Sequence, residues 1–104
     1  MNAATSSNTS PHPAHIPTAP QLEAALQSAL QPTTLQVIDE SGQHTGHAGA
    51  NGLGYGTHFR VRIAAPAFAQ QPRVACHRLV YDALRPFIEQ HQGVHALAIE
   101  IIKS

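Results

Sequence analysis

The sequence predicts a small α+β domain. Its order is helix, strand, strand, helix, strand (αββαβ), with a three-stranded mixed sheet and the helices on one face. Three observations carry this expectation. Phe59, Val61 and Ile63 alternate with His58, Arg60 and Arg62, the period-two pattern of a half-buried strand. From about Arg73 the period changes. Ala75 or Cys76, Leu79, Val80, Ala83, Leu84 and Phe87 recur at three- and four-residue steps, with Arg78, Asp82 and Arg85 opposite, which describes an amphipathic helix. At 104 residues the chain holds one small core and no more.

Residues 1–17 are mostly Ser, Thr, Asn, Ala and Pro, with little to bury, and read as a disordered tail. The domain proper is expected over residues 18–104. Thr18 is a plausible N-cap and Pro20 suits a first turn. Leu22, Ala25 or Leu26, Ala29 and Leu30 follow at helical spacing, and Pro32 closes the helix. Thr33–Asp39 reads as the first strand, with Leu35 and Val37 on one face and Ile38 on the other. Glu40–Gly56 is rich in glycine and poor in apolar residues, a long loop of the kind that is usually functional or disordered.

Thr57–Ala64 is the second strand, antiparallel to the first. Pro66 and Pro72 bracket a short connector. The main helix runs from about Arg73 to about Gln90, with a kink or a break expected at Pro86, which lacks a backbone donor and crowds the carbonyl of Asp82. Gly93 is a natural stop. Val94–Ile102 is the third strand, with His95, Leu97, Ile99 and Ile101 on one face, returned to the sheet by the helical crossover.

Composition narrows the function classes. No apolar run approaches the roughly 20 residues that a membrane-spanning helix needs. The N-terminus has neither a basic nor an apolar signal region, so a cytoplasmic protein is the default expectation. The single Cys76 excludes an intramolecular disulfide. All six basic residues lie from Arg60 onward, beside only Asp82, Glu89 and Glu100, a bias too mild for a strong nucleic-acid footprint. The eight histidines stand out, since imidazole is the commonest metal ligand. No nucleophile with a paired base, no carboxylate pair and no phosphate loop is visible, so an enzyme is not expected.

Four segments together resemble the BolA family: LQVIDES (Leu35–Ser41), THFRVRI (Thr57–Ile63), AFAQQPRVACHRLVYDAL (Ala67–Leu84) and VHALAI (Val94–Ile99). The resemblance covers roughly residues 20–102. It implies a BolA-like sheet related to the type II K-homology (KH) arrangement. It also implies an accessory role with a monothiol glutaredoxin in iron–sulfur assembly and iron regulation. In that role a [2Fe–2S] cluster is shared with the partner's cysteine and a bound glutathione, and none is held tightly by the chain alone. The expected state is a monomer alone and a heterodimer with the partner. The ligands implied are the histidine opening the third strand, His95, and a residue of the loop between the first two strands. For the latter His44 is preferred and His47 is the alternative. Histidine nitrogens can replace thiolates on one iron of such a cluster, and because neutral imidazole is required, binding weakens as the pH falls.

The chain departs from the family in three places. The loop is longer and richer in glycine, Cys76 stands where a basic residue precedes the helix histidine, and Pro86 interrupts the helix. His77 is the family's helix histidine, expected to be structural or part of a partner surface. Arg60, Arg62, Arg73 and Arg78 are candidate contacts for a partner or for DNA, because a nucleic-acid-binding transcriptional regulator is the alternative reading. Against it, the connector Ala69–Ala75 lacks the GxxG loop with which nucleic-acid-binding KH domains clamp the backbone.

Overall fold

The structure is a computed structural model and describes residues 16–44, 54–90 and 92–103. Helix α1 spans Ala19–Leu30. Its N-cap Thr18 and Gln21 form a reciprocal capping box, and Pro20 lies in the first turn. The helix ends at Gln31, which takes the left-handed conformation (φ 49°) and donates its N–H to the Gln27 carbonyl. Strand β1 (Thr34–Asp39) leads into a 3-10 turn, Ser41–His44. Strand β2 is His58–Ala64, helix α2 is Arg73–Glu89 and strand β3 is Ala96–Ile101. The sheet order is β1-β2-β3, with β1 antiparallel and β3 parallel to the central β2. The expected αββαβ mixed sheet is therefore the observed one.

The register explains the core. Leu35, Ile63 and Ile101 align across the sheet, as do Val37, Val61 and Ile99, and a third row joins Phe59 to Leu97. Both helices cover these rows, with Leu22 and Leu26 from α1 and Cys76, Val80 and Leu84 from α2. All five of those helix residues are fully buried. At roughly 1.5–3 kcal/mol for each large apolar side chain, this burial is the main favourable term of folding.

The opposite face is polar. Arg60 donates to Glu40 at 2.8 Å and to Glu100 at 2.7 Å, and Arg62 pairs with Glu100 at 3.1 Å. The hydrogen bond to Glu40, followed by that to Glu100, raises the Arg60 guanidinium above its ordinary range.

Three expectations need correction. Ile16 is only 2% exposed and Pro17 is fully buried, so the packed chain begins before residue 18. Helix α2 does not break at Pro86 but runs on to Glu89. Pro86 and Asp82 both lie on the exposed side, where the carbonyl that loses its donor is available to water. The third strand begins at Ala96 rather than Val94, which leaves His95 just outside it.

Gly93 sets that entry. Its N–H donates to the Gln90 carbonyl and the Val94 N–H to the Phe87 carbonyl. A Cβ at position 93 would lie 2.3 Å from the Phe87 oxygen and 2.8 Å from that of Gln90. Glycine is needed here for close backbone approach.

Candidate functional site

One end of the sheet gathers the chemistry. Where β1 ends, Asp39 holds both sides of the following loop. Its Oδ1 accepts from the Ser41 N–H at 2.9 Å, and its Oδ2 from the Gly56 N–H at 3.0 Å. This is an Asx-type turn that also closes the loop's base. Ser41, 2% exposed, turns its hydroxyl onto the start of β2, where Oγ accepts from the N–H groups of Thr57 (2.9 Å) and His58 (3.0 Å). The Glu40 N–H donates to the His58 carbonyl at 2.7 Å, carrying the β1–β2 ladder one step past Asp39. The Ser41–His44 turn is thus anchored beside His58.

The entry to β3 meets the same point. The N–H groups of His95 and Ala96 both donate to the Thr57 carbonyl, at 2.8 and 3.1 Å. Two successive amides aimed at one oxygen are not regular strand geometry, so the strand alternation does not extend to His95. Its side chain is exposed, and its ring lies beside that of His58, centroid to centroid 5.4 Å and tilted 51°. The His58 ring is held in turn through Nδ1 and the Thr57 hydroxyl, 2.8 Å apart.

Of the expected ligands, His95 is thus an exposed imidazole at the sheet end. The backbone of His44 closes the anchored 3-10 turn at that same end. His47 lies outside the described residues. Among those residues, no group of three or more His, Cys, Asp or Glu side chains is placed to hold a metal ion. An exposed imidazole nitrogen is a donor type that suits iron.

The residue that sequence reading missed is His58. Alternation correctly set it on the face of Arg60 and Arg62, yet it is 7% exposed and Thr57 is 3% exposed. The turn at Ser41, distant in sequence, lies against it. The one local hint was an uncharged side chain opening a row that continues with two arginines.

Comparison with known proteins places the chain. A family model described as BolA-like protein matches residues 26–104. The chain belongs to the BolA-like family. It is 50% identical over 80 residues to an uncharacterized protein in the cobS 5' region of a Sinorhizobium species, covering 76% of this chain and 83% of that one. It is 43% identical over 82 residues to chloroplastic Protein BOLA1 of Arabidopsis thaliana, covering 78% of this chain and half of that one. The structure of BolA1 from Arabidopsis thaliana superposes with a TM-score of 0.69 at 40% identity, over 82% of this chain and 89% of the other. The DNA-binding transcriptional regulator BolA of Escherichia coli K12 is 34% identical over 79 residues, covering 76% of this chain and 69% of that one.

The remaining expected surface residues of this BolA-like chain divide into two groups. Arg60 and Arg62 are engaged by Glu40 and Glu100, and Arg73 donates to the Ile101 carbonyl at 3.0 Å. His77 and Arg78 are exposed on α2 and line an open groove against β3 with Val74, Tyr81, Leu97 and Ile99. Among the described residues no ion pair engages Arg78. Cys76 is buried and packs as a small apolar side chain. No helix among the described residues is long and apolar enough to cross a membrane.

Proposed function

We propose that this BolA-like protein is an accessory factor that docks a monothiol glutaredoxin and shares, or passes on, that partner's [2Fe–2S] cluster in iron–sulfur assembly or iron regulation. The single observation that carries the reading is the placement of His95. It is an exposed imidazole outside β3, at the sheet end where the turn closing on His44 is anchored. His95 is the first ligand in this reading, and His44 the second, with His47 as its alternative. The cluster is cargo here. The partner contributes a cysteine and a bound glutathione thiol, and this chain contributes neutral imidazole, which favours a higher cluster potential than thiolate does. Few donors on this chain fit a site completed only by a second protein, because a closed structural metal site normally uses four protein ligands.

The test is a titration of the purified chain into a cluster-loaded monothiol glutaredoxin, followed by visible circular dichroism. The expected result is a new spectrum that saturates at one chain per partner. A spectrum that stays that of the glutaredoxin alone rejects the reading. Comparing His44→Ala with His47→Ala then assigns the loop ligand, since only the ligand's removal should change the mixed spectrum.

DNA binding is the second reading, favoured by the name of the Escherichia coli relative and by exposed Arg78 and His77 beside the α2–β3 groove. It has less support. Three of the four arginines expected to meet phosphates are already bonded within the chain. Sequence-dependent DNA binding that survives physiological salt and is lost in Arg78→Ala would promote it.

A further inference from the structure

We infer that His58 is the positioning residue for His95, a buried imidazole whose ring fixes the direction in which the exposed ring presents its nitrogen. The inference rests on the cluster-sharing reading for its purpose, but not for its geometry.

An exposed side chain ordinarily changes rotamer on the picosecond-to-nanosecond scale. His95 is exposed, and the hydrogen bond that its backbone N–H donates to the Thr57 carbonyl leaves its χ angles unrestrained. Among the described residues, the group found beside its ring is the His58 ring. Their 5.4 Å centroid separation and 51° tilt lie within the range of attractive aromatic pairs, about 4.5–7 Å.

His58 is itself held through its N–H, its carbonyl and its ring. Its N–H is held by Ser41 Oγ, its carbonyl by the Glu40 N–H, and its ring Nδ1 by the Thr57 hydroxyl. Thr57 is therefore common to both histidines, holding one by its hydroxyl and the other by its carbonyl. A metal-ligating histidine generally depends on outer-shell partners, usually hydrogen-bonded, for its orientation, and losing them typically costs about 10–100-fold in affinity; here a ring contact takes that place. His58 and Thr57 would give His95 that support before any partner arrives.

Two measurements test this. In the isolated chain, NMR should show cross-relaxation between the two rings and a restricted His95 side chain. In His58→Ala the His95 ring should average over its rotamers. Thr57→Val should loosen it likewise, whereas Thr57→Ser, which keeps the hydroxyl, should not. A His95 ring as mobile in the unaltered chain as in His58→Ala overturns the inference. His58→Leu removes the ring, keeps most of the buried volume and serves if the Ala variant does not fold.

In the mixed cluster complex, His58→Leu and Thr57→Val should change the visible circular dichroism and weaken the complex roughly tenfold or more, with Thr57→Ser restoring both. A folded His58→Leu with an unaltered spectrum and affinity also overturns the inference. If the unaltered chain forms no mixed chromophore, the cluster reading fails, and the NMR comparison alone decides whether His58 holds His95.

Discussion

Replacing Ser41 with Ala should destabilise the domain far more than a turn serine normally would. The hydroxyl is 2% exposed and accepts from two backbone donors, the N–H groups of Thr57 and His58, themselves in residues 3% and 7% exposed. Alanine removes that acceptor and leaves both donors buried. Each such orphan costs about 1–3 kcal/mol. Partial entry of water along the turn offsets some of that, so the expected loss is about 2–4 kcal/mol. Against a total stability of about 5–15 kcal/mol this is a large fraction. For a domain of this size it corresponds to a fall in melting temperature of roughly 10–25 °C.

Urea unfolding followed by far-ultraviolet circular dichroism measures the loss. Amide hydrogen exchange locates it, because the Thr57 and His58 amides should lose protection before the centre of β2 does. A loss under about 0.5 kcal/mol, within the range of an ordinary surface substitution, together with unchanged exchange at those amides, would refute the claim that Ser41 clamps the loop onto β2.

Other consequences follow from packing and charge. Leu84→Ala should cost about 2–5 kcal/mol by the cavity it opens, read as a shift in the urea midpoint without a change in slope; a loss below 1 kcal/mol would mean that the α2 core collapses around the gap. Gly93→Ala should cost about 1–3 kcal/mol or more, because its Cβ meets backbone oxygens at 2.3 and 2.8 Å and no side-chain movement can relieve that. The same variant should shift the His95 amide resonance, and an unperturbed spectrum would contradict the account of the β3 entry. Arg60→Gln should destabilise mainly at low salt, the difference from the unaltered chain shrinking as ionic strength rises, since the Arg60 and Glu100 side chains are partly exposed. A difference that persists in high salt would place that network in a drier setting than its exposure indicates.

Much of the fold was legible because its signals are local. The alternation of Phe59, Val61 and Ile63 and the helical spacing of Cys76, Val80 and Leu84 each reflect one element's period, and each marks the face found buried. Thr18 announced a cap that the structure forms, and Gln21 completes it as a capping box. What was not legible depends on contacts between distant segments. Ile16 and Pro17 sit in a stretch with no periodicity, so nothing local marked them as buried. The burial of His58 comes from Ser41, 17 residues earlier in the chain. His95 was expected on the apolar face by strand parity, but parity fails where its amide and that of Ala96 share one carbonyl. Of the kink or break expected at Pro86, the break is absent; the rule against proline in helices does not say which side the freed carbonyl faces. For the site, the family resemblance carried the expectation of His95 and His44, while the pairing of His58 with His95 needed coordinates.

The measurement that bears most directly on the central claim is pulsed electron paramagnetic resonance of the reduced mixed complex with a cluster-loaded monothiol glutaredoxin. Imidazole nitrogen bound to the cluster gives a characteristic nitrogen coupling. The account predicts that coupling in the complex with the unaltered chain and its loss or reduction with His95→Ala. A coupling absent from the former, or identical in both, would contradict the assignment of His95.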